Sequence, residues 1–305
     1  MDRHGKIDSG AGRNSYAPIG QEMAPSLARM IASANLRTFY DDPENLSEIL
    51  DLISQVISAK SIELLSIDVF DTALLRATTP ELDRFRTHSK RFQQVISGSD
   101  ASANIDPEDI LLARLIAARA AYGMQRDSLA DGDPSLSAIA NAVCTLLNRP
   151  DLAALYIQTE LECEIENLSL NPLVAAIEER FPSLPIVFLS DMYLDSSQIG
   201  RIFSALKAGE RRPRIFSSAD GHGSKAAGAL FGHVARTMRA APGRALHIGD
   251  NLEDDYRSAK RSGWNALYLP LPGEELDARR DCFAETLARI PVLESGFRQE
   301  CRFTP

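Results

Sequence analysis

The stretch that most constrains this chain runs from Ser66 to Thr72, reading Ser-Ile-Asp-Val-Phe-Asp-Thr. A mostly apolar run, Ile62 to Ile67, ends abruptly in Asp68, and Thr72 follows four residues on. A strand that is apolar along its length must be covered on both faces, as parallel strands of α/β sheets are. Ligand sites in such sheets lie at the carboxyl ends of the strands, so the run predicts that Asp68 is delivered to a site. Three further signals follow in order. Ser190-Asp191 closes a second apolar run, Ile186 to Leu189. Lys225 is read as opening a helix. Gly249-Asp250-Asn251 closes a third run, Ala245 to Ile248, with Asp254 and Asp255 just after. A carboxylate, a hydroxyl, a lysine and an acidic cluster, each at the end of an element, are the parts of a site that handles phosphate.

At 305 residues with 44% hydrophobic content, the chain is long enough for one large core or a core and a second domain. Its net charge of −9 argues against nonspecific nucleic-acid binding, which relies on a basic surface. No apolar run approaches the ~20 residues that span a bilayer. Residues 1–24 have no signal-peptide pattern. Cys144, Cys163, Cys282 and Cys301 are widely spaced with no Cys-x-x-Cys pair. Reduced thiols in a cytoplasmic protein fit that usage better than a disulfide framework or a zinc site.

Residues 1–22, rich in Gly, Ser, Asn and charge, are expected to form a flexible tail. Leu46, Ile49, Leu50, Ile53, Val56 and Ile57 share one helical face, which predicts an amphipathic helix over 44–58. In 81–180, Thr79-Pro80, Asp106-Pro107, Asp133-Pro134 and Asn171-Pro172 each put a capping side chain before a proline that needs no N–H donor. Helical patterns follow over 81–96, 108–122, 134–147 and 172–180, with another over 151–167, and no strand pattern interrupts them. From 185 onward, apolar runs at 185–189, 214–217, 245–248 and 266–269 alternate with helical segments at 196–207, 224–238 and 253–262. A last helix is expected over about 274–290. The expected fold is α/β: a doubly wound, Rossmann-like parallel sheet with an all-helical cap inserted after the first strand. The division is 1–60 for the tail and amphipathic helix, 61–80 with 181–305 for the core, and 81–180 for the cap.

The four motifs in this order resemble those of the haloacid dehalogenase-like (HAD) hydrolase superfamily, and within it a group of predicted hydrolases sharing the Asp-Val-Phe-Asp-Thr first motif. The resemblance covers residues 61–80 and about 181–270. It implies that Asp68 is a nucleophile, that Ser190 binds a phosphoryl oxygen and that Lys225 balances the charge between them. It also implies a Mg²⁺ ion held by Asp68, the backbone carbonyl of Phe70, Asp250 and Asp255. Asp254 competes with Asp255 for that role; the Asp255 to Ala259 spacing matches the superfamily's pattern better. An insert at this point in the superfamily is a helical cap over the active site.

One position departs from the pattern. Phosphatases of the superfamily carry a second aspartate, the general acid and base, where this chain has Phe70. Dehalogenases of the superfamily have an aromatic residue there. An aspartate nucleophile suits either reaction, since it can attack phosphorus or an activated carbon.

Each residue also has a structural reading. Asp68 caps a strand, Ser190 is one of many strand-end serines, Lys225 is a solvated surface lysine, and Glu253 and Asp254 complement a helix dipole. Asp71 and Arg76, taken with Thr72 and Asp191 as substrate-binding candidates, are as readily a loop clamp and a salt bridge. His247 is read as a satisfied core residue. His222, close to Lys225, is the histidine to examine.

Three readings follow from the sequence. The first is Mg²⁺-dependent hydrolysis of a small phosphorylated metabolite or sugar, with a better leaving group or an acid from the cap compensating for Phe70. The second is carbon–halogen hydrolysis. The third is a catalytically weak binding or scaffold protein with the same fold. No nucleic-acid or membrane partner is expected.

Overall fold

The computed structural model describes residues 24–99, 105–126, 132–207 and 213–289. The expected tail at 1–22 and Cys301 lie outside them. The described strands are β1 (Leu64–Asp68), β2 (Leu74–Arg76), β3 (Leu168–Leu170), β4 (Ile186–Ser190), β5 (Arg214–Ser217), β6 (Ala245–Gly249) and β7 (Asn265–Tyr268). Five of them form one parallel sheet in the order β5-β4-β1-β6-β7. The winding reverses between β1 and β6, and a doubly wound sheet opens its ligand crevice at such a reversal. Register aligns the edge of that crevice: Asp68 pairs with Leu189, one residue before Ser190, and Ile67 pairs with Ile248, two residues before Asp250. The α/β class expected from the apolar runs is the class observed.

The sheet divides the core. On one face Leu64, Val187, Leu189 and Phe216 pack with Leu230, Phe231, Val234 and Trp264. On the other, Leu65, Ile67, Phe188, Leu246 and Ile248 pack with Ile49, Ile53, Ile199, Ile202 and Phe203. Each such side chain contributes ~1.5–3 kcal/mol when fully buried. Alternate residues of β1 therefore serve opposite faces, which is why Leu64, Leu65 and Ile67 are all apolar.

Before the sheet come α1 (Pro25–Ala32), α2 (Leu36–Asp41) and α3 (Pro43–Lys60). The first two were not expected. They are short, with six to eight residues each, but bury Leu27, Met30, Leu36, Phe39 and Tyr40. Then follow α4 (Glu81–Ser99), α5 (Pro107–Arg126), α6 (Leu136–Leu146) and α7 (Ala153–Glu166), packed against one another as a four-helix body. After β3 come α8 (Pro172–Arg180), α9 (Ser196–Ala205), α10 (Ala229–Met238), α11 (Ser258–Arg261) and α12 (Gly273–Arg289).

Two expectations for 81–180 are corrected. The segment is not free of strands: β3 pairs antiparallel with β2, Leu74 opposite Leu170. The paired residues are only three per strand, too few for an alternation signal, and each strand exists because the other is beside it. Also, α8 packs on α3 and α2 rather than with the four-helix body. The ribbon of β2 and β3 is where the chain leaves β1 for α4–α7 and returns. Elsewhere, the helix expected over 253–262 is split into a π-helical turn at Leu252–Arg257 and the short α11.

Asn171 closes the return. Its backbone N–H donates to the Ala73 carbonyl at 2.9 Å, and its Nδ2 donates to the Thr72 carbonyl at 2.8 Å. Its Oδ1 accepts from Leu173 N–H at 3.0 Å, capping α8 as the Asn-Pro pair predicted. Asn171→Ala removes the cap, worth ~1 kcal/mol, and leaves a buried carbonyl with one partner fewer, worth ~1–3 kcal/mol. The expected loss of about 2–4 kcal/mol is read from urea denaturation; a loss below about 0.5 kcal/mol contradicts this account.

Candidate active site

Asp68, at the end of β1, is 6% exposed, and Asp255 is 1% exposed. Their carboxylates and that of Asp250 offer oxygens all within 4.8 Å of one another. Lys225 lies among them: its Nζ donates to Asp68 Oδ1 and, at 2.6 Å, to Asp255 Oδ1. Thr72 Oγ1 donates to Asp250 Oδ1 at 3.3 Å. Fully ionised, three carboxylates against one lysine would leave two negative charges in a desolvated place.

The pKa values follow from that imbalance. Burial pushes Asp68 up to about 7; Lys225 lowers it less than that, while Asp255 and Asp71 raise it. Burial, followed by the charges of Asp68, Asp71 and Asp255, holds Asp250 well above the usual carboxylate range. Asp255 goes the other way: burial opposes its charge, but Lys225 and His247 outweigh it and keep it ionised. Burial likewise opposes the charge of Lys225, and Asp255, Asp68 and Asp191 more than restore it.

Local structure aims these groups. Asn251 caps the turn after β6, its Oδ1 accepting from Glu253 and Asp254 N–H. The next turn is π-helical, with Tyr256 N–H reaching back to the Asn251 carbonyl at 3.2 Å. Such wide turns recur at functional sites, and here the turn brings Asp255 back under β6. A Cβ at Gly249 would collide with the Asp255 carboxyl and its Cβ, so glycine is required by close approach. His247 Nε2 meets Asp255 Oδ1 at 3.1 Å and its Nδ1 meets Ser66 Oγ at 2.8 Å. Burial keeps the imidazole pKa below its ordinary value, although Asp255 works the other way. His247 is thus a buried prop for Asp255, in keeping with a satisfied core residue.

Lys225 does not open a helix, contrary to expectation: α10 starts four residues later, at Ala229. The lysine occupies an irregular turn closed by Gly228 at φ +82°. Asp191 holds that turn, its carboxylate accepting from Lys225 N–H at 2.8 Å and Ala226 N–H at 3.1 Å. The sequence suggests Asp191 as a substrate ligand; in the structure its oxygens are engaged by these amides. His222 is exposed, stacks on His233 at 3.8 Å and does not line the cleft.

Above the carboxylates opens a cleft of about 910 Å³. Asp68, Phe70, Ser190, Asp191, Lys225, Asp250, Asp254 and Asp255 line it from the sheet side. Glu81, Arg84, Arg114 and Tyr122 line it from α4 and α5. Thr72 is buried beneath the cleft and acts on Asp250 instead. Arg76 stacks its guanidinium 4.2 Å above the Phe70 ring, with Asp71 at 3.5 Å.

Asp71 takes a left-handed backbone, φ 64°, and accepts two bonds from Arg279 of α12, at 2.8 and 3.0 Å. Arg279 also donates to Glu275 at 2.6 Å, and Glu275 accepts from Leu36 N–H at 2.9 Å. Burial opposes the charge of Asp71, but Arg76 and Arg279 hold its pKa below the usual range. Asp71 therefore clamps the loop, as one reading of the sequence had it. Its partner Arg279, 208 residues away, carried no motif that marks it. Glu81 was also missed; its only signal was its place at the first residue after Thr79-Pro80.

The cluster's chemistry suits a divalent cation. Three hard carboxylate oxygens beside a cleft are the ligands Mg²⁺ takes, and the uncompensated charge is what such an ion would neutralise. Asp255, rather than Asp254, is in the cluster.

No protein-family model and no curated protein matches the chain. Solved structures do. A 2-haloacid dehalogenase from Pseudomonas syringae pv. Tomato matches at 15% identity over 68% of this chain and 86% of its own, with a TM-score of 0.45. A haloacid dehalogenase-like family hydrolase from Xanthomonas campestris matches at 15% over 75% and 94%, with a TM-score of 0.42. A magnesium-bound HAD-hydrolase from Bacillus subtilis matches at 15% over 68% and 88%, with a TM-score of 0.40.

The raised Asp68 value has a consequence for stability. The folded chain holds this proton more tightly than the unfolded one, whose carboxyl titrates near the ordinary ~4. The stabilisation is therefore complete below about pH 4 and is lost as pH rises through about 7. In metal-free protein, Tm is expected to fall from pH 5 to 8. Asp68→Asn removes the titration and should melt roughly 3–6 °C above wild type at pH 8, the shift of about 2 kcal/mol in a chain this size. Thermal melts in chelator across that range test it; parallel curves for the two proteins would show that Asp68 is not the group responsible.

Proposed function

We propose that the protein is a hydrolase of the HAD type that cleaves phosphate esters, with Asp68 as nucleophile and Mg²⁺ as cofactor. The observation that carries this is the trio Asp68, Asp250 and Asp255 around a single lysine. Carbon–halogen hydrolysis releases a halide that carries its own charge away and has no need of three crowded carboxylates. A transferring phosphoryl group brings negative charge into the site and needs it neutralised.

Asp68, Asp250, Asp255 and the Phe70 carbonyl would hold the ion. When bound, Mg²⁺ neutralises charge on the phosphoryl oxygens. Asp68 attacks phosphorus and forms an aspartyl phosphate, which water then clears. Ser190, 2% exposed and lining the cleft with Asp68, would donate to a phosphoryl oxygen. Lys225 stays protonated throughout, because Asp255 remains ionised beside it. The substrate class is a small phosphorylated metabolite or sugar, which a cleft of about 910 Å³ accommodates. A cytoplasmic location belongs to the same proposal; among the described residues, no helix is long and apolar enough to cross a membrane.

Carbon–halogen hydrolysis is the second reading. Phe70, an aromatic residue lining the cleft where an acid is expected, is the observation that favours it.

Mg²⁺ should raise the Tm of wild type and leave Asp250→Ala unchanged, since a ligand that binds only the native state stabilises it. Aryl phosphates should turn over with Mg²⁺, and Asp68→Asn should lose at least ~10³-fold, with phosphate trapped on Asp68 of wild type by acid quench and mass spectrometry. Turnover of 2-haloacids without Mg²⁺, with no phosphate release from any ester, would overturn the proposal in favour of the second reading. An undiminished Mg²⁺ shift in Asp250→Ala would rule out this metal site.

A further inference from the structure

A phosphatase with Phe70 in the acid's place lacks a proton donor for the leaving alcohol, and the sheet side of the cleft offers no substitute. Asp68 is the nucleophile, Asp250 and Asp255 belong to the cation, Asp191 is held by two backbone amides, Asp254 accepts from the Asn251 side-chain amide at 3.0 Å, and Asp71 is clamped by Arg279. Across the cleft stands Glu81, the first residue of α4.

Three arginines face Glu81, and each already has another carboxylate. Arg84, on the same helix, pairs with Glu164 of α7 at 3.2 Å. Arg114 of α5 pairs with Glu160 of α7 at 3.0 Å. Arg76 of β2 lies 3.5 Å from Asp71. Glu81 itself makes no hydrogen bond or ion pair with any described residue, and its side chain is part-exposed into the cleft. Arg76 ties the two places together: its guanidinium lies on the Phe70 ring, and its charge is among those that act on Glu81. Glu81 and Phe70 therefore share Arg76 as a neighbour, and both line the cleft with Asp68.

Resting on the phosphate-ester reading, we infer that Glu81 is the general acid and base of the reaction, reaching from the helical side of the cleft in place of the carboxyl that Phe70 replaces. The Asp68 oxygen forms a bond to phosphorus as the bond from phosphorus to the ester oxygen breaks. The proton of the Glu81 carboxyl goes to that departing oxygen, releasing a neutral alcohol and leaving Glu81 as carboxylate. Water then attacks phosphorus and gives its proton to Glu81, while the phosphorus bond to Asp68 breaks. Inorganic phosphate leaves, Asp68 is a carboxylate again, and Glu81 carries its proton for the next turnover.

The surroundings suit a group that must alternate between these two states. Burial raises the Glu81 pKa above the ordinary carboxyl value; Arg84, Arg114 and Arg76 oppose the rise, and Glu164 adds to it. A catalytic acid works best when its pKa lies near the working pH.

Glu81→Gln keeps the size and removes the proton. Steady-state kinetics with Mg²⁺ on two phosphate monoesters test the inference, one an aryl ester with an acidic phenol and one a simple alkyl ester. Hydrolysis of the alkyl ester should fall ~10²–10⁴-fold. Formation of the aspartyl phosphate from the aryl ester, which needs no acid, should fall less than about tenfold. The intermediate should accumulate in the variant, because its hydrolysis needs the base. Glu81→Asp, with a shorter reach, should recover part of the alkyl activity and restore the alkaline limb of the pH profile that Glu81→Gln loses. Equal losses on both esters in the rate of aspartyl-phosphate formation, read as kcat/KM, would assign Glu81 a structural role and overturn the inference, as would unchanged alkyl activity in a folded Glu81→Gln. If wild type releases phosphate from neither ester, the phosphate-ester reading itself fails and this assignment falls with it. Wild-type activity that ignores Glu81 sinks only the assignment.

Discussion

Lys225 is buried between Asp68 and Asp255, and the order of the whole site depends on that contact. Without the lysine, three carboxylates at the reversal of a parallel sheet would have no positive partner. With it, the electrostatics are graded: Asp255 is held ionised, while burial drives Asp68 and Asp250 up, with Asp255 and Asp71 adding to both. The lysine can reach them only because Asp191 pins its turn, Gly228 allows the left-handed step that follows, and Gly249 leaves room for Asp255. A buried ion pair contributes little net stability by itself. Its effect here is on position, since it draws residues from three separate elements to one point.

A second buried chain of charges does the same for the loop after β1. Asp71, Arg279 and Glu275 connect that loop to α12 and on to the start of α2. The loop carries Phe70 and leads directly into β2. The last described helix and the first ones thus brace the backbone beside Asp68. This accounts for the left-handed Asp71, whose backbone is held in that conformation by two arginine hydrogen bonds.

The two sides of the cleft have different electrostatic characters. The sheet side is acidic around one lysine. The α4–α5 side presents Arg84 and Arg114, matched by glutamates of α7, with Glu81 left over. Phe70 and Arg76 lie at the seam between them.

The apolar runs were sufficient to read the parallel sheet, because a strand covered on both faces must be apolar throughout, and helices spaced between such strands leave little choice of topology. The positions of Asp68, Ser190 and Asp250 at strand ends were legible for the same reason, as was the Asn171 cap, where a side chain bonds its own neighbours. The residues that depend on distant partners were not legible. Arg279 bonds Asp71 from 208 residues away. The strands β2 and β3 hold together only as a pair. Lys225 is oriented by a turn clamped from another strand end, so its helical reading failed. Glu81 looks like any first-turn acid until the surrounding arginines are seen to have other partners. Local pattern determines which residues form an element and which face is buried; which charges meet inside is decided only when the elements pack, because electrostatic pairing depends on distance in space and not along the chain.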